Sequence, residues 1–462
     1  MRAARPTRTR YVVLGALCTA AVIAYIHRGC LSVPKQTIQS DLGLDAAQME
    51  TVLSAFFLGY AVFQIPGGWI GDRFGTRRSL TIFMLLWSTA TGLMSLADGF
   101  AWLITMQIVN GMAQAGIFPC CVKTFSCWFP RSERAFPNGL LGSFMSVGGA
   151  LATSLMGLLL LLLPWQGVLP MLAGPGAIFA IGFFLWFRDR PQEHSWVNDE
   201  ERRWIEGDAA RDNASPPASL PEGERGQENI HSPVGKKNAD TPSPLGRGQG
   251  EGNAGADAHL PQQSGGLDLF FLVQLGLVSG QQFFRASAYI FYTTLFPTFL
   301  QKARGVGESE SGFWTSVPLL GVVFGSVTGG LAMDAIMRRT GNATLSRKGM
   351  GVVGVLGAGL FLTLAYLPAD VVPTIALITA STFCSGLSGA AAYTVTIDMG
   401  GKHIATVFSI MNTAGNVGAT LLPVGLGWLV RQTSWNDALL FAAALYGGAG
   451  VCWSLVRVRE QS

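Results

Sequence analysis

Long apolar runs separated by short polar loops dominate the hydropathy pattern of this 462-residue chain. Twelve runs are long enough to cross a bilayer as helices, six on each side of a polar stretch. They lie at about 11–33, 50–71, 79–97, 100–122, 137–163, 166–187, 268–299, 311–333, 349–368, 371–397, 403–430 and 436–456. We therefore predict an all-α membrane protein with twelve transmembrane helices in two six-helix bundles.

Composition supports the membrane class and excludes several functions. Hydrophobic residues make up 49% of the chain and charged residues 13%, with a mean hydropathy of +0.36. The net charge of +4 is small, and the basic residues flank the apolar runs, which argues against nucleic acid. No Ser/His/Asp set or metal-spaced His/Cys cluster stands out. We expect no enzyme activity, no cofactor and no metal.

The distribution of lysine and arginine assigns the loops to the two sides of the membrane. Both termini, the central stretch and alternate loops are basic, and by the positive-inside rule these parts are cytoplasmic. We expect a monomeric, multi-pass protein of the cell (inner) membrane in contact with the lipid bilayer. The predicted parts are a cytoplasmic N-terminus (1–10), a first bundle (11–190), a cytoplasmic linker (191–266), a second bundle (267–457) and a cytoplasmic C-terminus (458–462). From about residue 212 the linker is rich in Pro, Gly, Ser and Gln, which predicts disorder.

The most informative motif is GGWIGDRFGTRRSL at the end of the second apolar run. Gly68 belongs to a glycine pair that lets neighbouring helices approach closely. Asp72 stands at the membrane exit, where an acid can pair with an arginine or with the N-terminus of a neighbouring helix. Gly75 allows a tight turn that presents Arg77.

The second half of the chain repeats this motif in a weaker form. Gly329 and Gly330 precede Asp334 at the same distance, Arg338 follows, and the two acids are 262 residues apart. Such an internal repeat predicts two structurally related halves.

The motif and the twelve runs resemble the major facilitator superfamily over essentially the whole chain. The resemblance implies two pseudo-symmetric bundles, a midplane site between them, and rocking that exposes the site to each side in turn. It also implies that the motif residues act in gating rather than in substrate binding, and we assign Glu133 and Arg134 of the PRSERA loop to the same network. The gating set is Gly68, Asp72, Gly75, Arg77, Glu133, Arg134, Asp334 and Arg338.

A narrower resemblance rests on YIHRGCLSV, SAFFLGYAVFQIPGG and NGMAQAGIFPCCVKTFSCWFPRSERA. These segments are similar to the anion:cation symporter family, which includes sialin, the vesicular glutamate transporters and bacterial carriers of sugar acids such as hexuronate, galactonate and glucarate. The family implies that Arg28 binds the substrate carboxylate. It implies site roles for Tyr25 and Tyr60, and for Asn412 at an approximate match.

Three positions depart from the proton-coupled members of that family. His27 replaces an acid directly before the arginine, and Gln114 and Gln107 replace a glutamate and an arginine of the fourth span. His27 titrates near neutral pH, whereas Gln114 cannot carry a proton. The three residues are coupling candidates, and H⁺ symport, Na⁺ coupling, uniport and exchange stay open.

Two intramembrane arginines favour an anionic substrate on physical grounds. Arg28 precedes Asp72 by 44 residues and Arg285 precedes Asp334 by 49, so their depths in the two halves are nearly equivalent. A charge at such a depth is costly unless it faces a partner, water or a ligand, and a guanidinium holds carboxylate or phosphate with two hydrogen bonds. Tyr289, Tyr292 and Tyr393 are aromatic candidates for the wall of the same site.

The sequence thus favours a secondary transporter of small organic anions such as sugar acids, anchored at Arg28. Arg28 and Arg285 together also resemble the arrangement of an organophosphate/phosphate antiporter, which is the main alternative. A non-transporting sensor is a remote alternative that would need a folded signalling module in the linker, against its low complexity.

Overall fold

The computed structural model describes residues 5–213 and 269–457, and helices form its twelve spans. The first half contains α1 (Thr9–Gly29), α2 (Lys35–Leu42), α3 (Ala46–Phe74), α4 (Thr76–Leu93), α5 (Phe100–Ala115), α6 (Ile117–Trp128), α7 (Ala135–Leu159) and α8 (Trp165–Trp186). A further helix, α9 (Asp199–Asn213), follows it. The second half contains α10 (Leu269–Ile290), α11 (Phe296–Arg304), α12 (Glu308–Thr340), α13 (Met350–Leu364), α14 (Val371–Gly400), α15 (Ile404–Gln432) and α16 (Asp437–Leu455).

The fourth and seventh spans are each divided between two helices. The fourth breaks at Gly116 between α5 and α6, three residues before Pro119, which has no N–H to donate to the carbonyl of Ala115. The seventh passes through a π-helical stretch, Phe291–Leu295, directly before Pro297. Within the described ranges, nine segments qualify as membrane spans by length and hydropathy, and one of them, Val371–Leu422, contains all of α14 and part of α15.

The predicted fold class is confirmed, and α9 is a feature that the sequence did not predict. This helix lies inside the stretch assigned to the linker. Its first turn carries acidic residues that suit a helix N-terminus. The predicted disordered stretch falls, from residue 214 to 268, outside the described residues, as do 1–4 and 458–462.

Residues of the GGWIGDRFGTRRSL motif join the two halves at one end of the bundle. We call this end, where α1 begins and α8 ends, the terminus side. A Cβ on Gly68 would lie 2.2 Å from Ser409 Oγ and 2.6 Å from the carbonyl oxygen of Ala405, so only glycine lets α3 and α15 approach this closely. Asp72 accepts hydrogen bonds from the backbone N–H groups of Ala405 (3.2 Å) and Thr406 (2.8 Å).

The repeat of the motif makes the reciprocal contact. Asp334, at the terminus side of α12, accepts hydrogen bonds from the backbone N–H groups of Ala135 (3.0 Å) and Phe136 (2.9 Å) at the start of α7. Each acid therefore caps the N-terminus of a helix in the opposite half, where the helix dipole favours a negative charge. These two crosswise caps join the two halves at the terminus side.

Two other motif residues shape the first half alone. Gly75 has φ +83° between α3 and α4, a conformation that suits glycine, and a Cβ there would lie 2.6 Å from an Asp189 carboxylate oxygen. The Arg77 backbone N–H donates to Asp189 Oδ1 (2.8 Å), and its guanidinium Nε donates to the Phe184 carbonyl (2.8 Å). Arg77 thus ties α4 to the end of α8.

The PRSERA loop contacts a residue near the N-terminus and a residue of the second half. Glu133 pairs with Arg10 (3.4 Å), which also pairs with the fully buried Glu201 of α9 (3.3 Å). Arg134 donates to carbonyls of the preceding helix end, at Ser126 and Phe129. Across the halves, Arg347 donates to the carbonyl of Arg131 (3.0 Å), and Arg338 is exposed.

We expect Asp72→Asn to open the terminus side more often, because the substitution removes the charge that stabilises the α15 N-terminus, a contribution of about 1 kcal/mol. Pulsed electron spin resonance between labels at Arg78 and Arg339, both exposed on this side, would report the opening as a longer mean distance.

The matched control is Asp437→Asn, at the far end of the second half. In the part of the chain that the structure describes, the carboxylate of Asp437 accepts hydrogen bonds only from Ser434. Its distance distribution should equal that of the wild type. An unchanged distribution in both Asp72→Asn and Asp334→Asn would contradict the role of the crosswise caps.

Candidate functional site

Arg28 lies on the last turn of α1, inside a cage of three aromatic rings. Its guanidinium carbon is 4.3 Å from the centroid of the Tyr25 ring, 4.8 Å from that of Phe56 and 5.0 Å from that of Tyr60. Phe56 and Tyr60 stack one turn apart on α3. An aromatic face attracts a cation, by about 2 kcal/mol when both groups are desolvated. The cage therefore stabilises the positive charge without neutralising it.

The polar partner of Arg28 is an amide. The guanidinium Nε donates to Gln114 Oε1 (3.4 Å), and Gln114 Nε2 in turn donates to Asn110 Oδ1 (2.9 Å), which fixes the orientation of the amide. In the described parts of the chain, no carboxylate lies within ion-pair distance of Arg28, and its buried Nη2 has no hydrogen-bond partner. A buried donor on a charged group is costly when unpaired. Arg28 thus keeps donor capacity for a ligand.

A cavity of about 500 Å³ lies beside Arg28 between the two halves. Its volume is in the range typical of small-molecule sites. Five of the predicted substrate-binding residues line it together, namely Tyr25, Arg28, Tyr60, Tyr393 and Asn412. The other lining residues include Phe118 and Met145 from the first half, and Ile290, Asn416 and Thr420 from the second.

A hydrogen-bonded chain links the aromatic cage to the second half. Asn416 Nδ2 donates to Gln64 Oε1 (2.7 Å), and Gln64 Nε2 is 3.5 Å from the Tyr60 hydroxyl, to which it donates. Gln64 is fully buried. Nearby, Phe118 stacks on Phe408 of α15 with ring centroids 6.3 Å apart. The cavity is therefore bounded by contacts that belong to both halves.

The predicted residues of the seventh span do not line this cavity. Arg285 donates through Nε (3.3 Å) and Nη2 (3.0 Å) to Gln282 Oε1 on its own helix. Tyr292 is fully buried, with its hydroxyl 2.8 Å from Ser381 Oγ. Tyr289 packs edge-on against the Tyr292 ring, at 6.2 Å between centroids.

His27 faces away from its neighbour Arg28. Its Nε2 is 3.0 Å from the Leu172 carbonyl oxygen of α8, to which it must donate, and the side chain is 1% exposed. A Cβ on Gly176 would lie 2.9 Å from the imidazole, so a glycine on α8 makes room for it. The structure thus separates His27 from the cavity, while it places Gln114 against Arg28. Gln107 is buried about two turns before Gln114 on α5.

Four residues around the site are absent from the predicted substrate-binding set, namely Phe56, Asn110, Gln64 and Asn416. A periodic signal was present, because Phe56, Tyr60, Gln64, Gly68 and Asp72 recur every four residues on α3. This spacing places them along one face of a helix. That face contacts Arg28 at one end and α15 at the other. Within the described residues, no cluster of three or more His, Cys, Asp or Glu side chains could hold a metal ion.

Comparison with known families supports the fold and the class of protein. The sequence profile of the Major Facilitator Superfamily matches residues 17–244 and 278–462. Among solved structures, the proton:xylose symporter XylE aligns with a TM-score of 0.65 at 12% identity, over 97% of each chain. Identity this low supports the fold alone.

Two curated relatives align over nearly the whole chain. The probable sulfoacetate transporter SauU of Cupriavidus necator is 28% identical over 448 residues, which are 97% of this chain and 94% of the relative. The probable galactarate/D-glucarate transporter GudP of Escherichia coli is 28% identical over 445 residues, 94% of this chain and 90% of the relative. Both relatives are named as carriers of small organic anions, and the predicted resemblance to sugar-acid carriers is confirmed.

Proposed function

The chain belongs to the Major Facilitator Superfamily, and from this premise we propose that it carries small organic anions, sugar acids above all, across the membrane by alternating access. It is a multi-pass membrane protein and not an enzyme. The observation that carries the proposal is Arg28, a caged guanidinium with free donors on the wall of a cavity between the two halves. A carboxylate of the substrate would accept two hydrogen bonds from Nη1 and Nη2.

The remaining cavity residues suit a hydroxylated acid. Tyr60, Tyr393 and Asn412 offer hydroxyl and amide groups beside apolar ring surface, the combination by which proteins bind sugars and their acids. The named substrates of the relatives, sulfoacetate and galactarate or D-glucarate, share a terminal anionic group. Arg28 would bind that group, and the hydroxyl-binding residues would favour the sugar acids.

Alternating access would require both crosswise caps to break. Asp72 and Asp334 join the two halves at the terminus side, and the Gln64–Asn416 hydrogen bond lies on the same α3–α15 pair as the Asp72 cap. Exposure of the cavity to the terminus side requires that these contacts break together. By the positive-inside rule we assign that side to the cytoplasm, with the protein in the inner membrane.

We propose that transport needs no proton at Arg28. An amide, Gln114, contacts the guanidinium, and His27 donates to a carbonyl within the first half, away from the cavity. Binding of the anion would then displace no protonatable partner of Arg28. Uniport, sodium coupling and exchange are the modes compatible with this site.

The phosphate-ester antiporter receives less support from the geometry. That function would use Arg28 and Arg285 together, but Arg285 donates to Gln282 and is not part of the cavity wall. The relatives named above also carry carboxylates and sulfonates rather than phosphate esters.

Uptake into proteoliposomes tests the function directly. We expect saturable uptake of D-glucarate, with competition by galactarate and weaker competition by sulfoacetate, which has no hydroxyl groups to bind. Liposomes without protein are the control. Uptake of none of these acids above that control, or strict dependence on internal phosphate, would contradict the proposal.

Arg28→Lys should raise the KM for D-glucarate at least about tenfold, or ~1.4 kcal/mol, because lysine keeps the charge but lacks the planar fork of donors. The exposed Arg339→Lys is the matched control and should transport normally. An unchanged KM in Arg28→Lys would refute the anchor role, while equal losses from Arg28→Lys and Arg285→Lys would favour the antiporter arrangement.

Gln114→Glu should create a pH dependence that the wild type lacks. The introduced carboxylate would pair with Arg28 when ionised and compete with the substrate, and protonation at low pH would relieve this competition. Initial rates measured from pH 5.5 to pH 8 should therefore rise with acidity in the variant and stay nearly flat in the wild type. A steep wild-type dependence on the proton gradient would exclude proton-independent transport.

A further inference from the structure

A second cavity lies on the outer face of the first half, away from the central site. Its volume is about 420 Å³, and it is a groove between α3, α4 and α5 near the terminus side. Phe63 and Phe83 form its wall, with ring centroids 6.5 Å apart, and Met112 of α5 also lines it. No polar surface from the described residues contributes to the groove. Its ligand must therefore be apolar over the length that it buries.

The groove opens toward the bilayer rather than toward the protein interior. Three of its lining side chains are exposed, Phe74 by 52%, Ile82 by 54% and Leu86 by 46%. Phe74 ends α3 at the terminus side, Ile82 lies near the start of α4, and Leu86 lies near the middle of α4. The stretch from 214 to 268 has no apolar run that could fill the groove from within the chain. A lipid acyl chain is the apolar ligand available at this depth.

Two arginines lie at the terminus end of the groove. The guanidinium carbon of Arg73 is 6.0 Å from the centroid of the Phe74 ring, which lines the groove. Arg78 is exposed, and it stands one turn before Ile82 on α4. Among the described residues, neither guanidinium has a carboxylate within ion-pair distance. Both arginines can therefore bind an anion at the membrane surface.

We propose that this groove binds one acyl chain of an anionic phospholipid, whose phosphate contacts Arg73 and Arg78. The arrangement suits such a lipid, because an apolar groove on the membrane-spanning helices is followed at its terminus end by two exposed arginines. The terminus side is also the side that we assign to the cytoplasm, where anionic lipids attract basic residues. The site is separate from the substrate cavity and requires no substrate to be tested.

Native mass spectrometry of the full chain in nonionic detergent tests the proposal, with dioleoyl-phosphatidylglycerol as the probe and dioleoyl-phosphatidylcholine for comparison. We expect one phosphatidylglycerol adduct to persist at low lipid concentration. Arg78→Gln should lower its occupancy about fivefold. Ile82→Trp, which fills the groove, should lower the occupancy of either lipid several-fold.

Two variants serve as matched controls. Arg339→Gln removes an exposed arginine at the terminus side of the second half, and Ile178→Trp adds the same ring at a position on α8 that is 72% exposed and not part of the groove. Both should bind the lipid as the wild type does, and folded charge states would confirm that every variant is intact. Equal adduct loss in variants and controls, or no loss in any of them, would overturn the proposal.

Competition between phosphatidylglycerol and glycerol 3-phosphate distinguishes a site for the whole lipid from a site for phosphate alone. Because the groove holds the chain, the headgroup alone should not compete at concentrations far above that of the lipid. Full displacement by glycerol 3-phosphate, or by phosphatidylcholine at equal concentration, would contradict an acyl-chain site with a preference for anionic lipid.

Discussion

A permanently charged guanidinium inside a bilayer needs compensation, and the central site depends on how this chain supplies it for Arg28. Three aromatic faces surround the charge, one amide accepts from Nε, and no carboxylate within the described residues neutralises it. A carboxylate of the protein in the same place would neutralise the charge of Arg28. That ion pair would then have to break before an anionic substrate could bind. The cage avoids that competition, so the substrate can complete the electrostatics of the site.

Helix α3 connects this site to the crosswise caps at the terminus side. Its residues Tyr60, Gln64, Gly68 and Asp72 follow at four-residue spacing and contact, in turn, the Arg28 cage, Asn416, the α15 backbone and the α15 N-terminus. The α3–α15 pair is therefore held at the cavity and at the terminus side by the same helix face. The Asp334 cap repeats this geometry in the other half, so each half caps the N-terminus of a helix in the other.

The sequence was sufficient to predict the fold and five residues that line the central cavity. Hydropathy predicts twelve spans, since a bilayer imposes their length, and an intramembrane charge identifies Arg28. The positions of helix breaks were harder to predict from the sequence, because the break caused by Pro119 lies three residues upstream, at Gly116. The equivalence of depth predicted that Arg285 shares the site with Arg28, but depth does not determine which way a helix faces. In the structure Tyr292 points to Ser381 inside the second half, and His27 to Leu172 inside the first.

The proposed function requires that the free donors of Arg28 bind the acid group of the substrate. A structure of the protein in lipid nanodiscs with D-glucarate, determined by electron cryomicroscopy, would test this binding. We expect carboxylate oxygens within about 3 Å of Arg28 Nη1 and Nη2, with the Nε bond to Gln114 retained. A carboxylate bound at Arg285, or one that leaves the Arg28 guanidinium without a ligand contact, would contradict it.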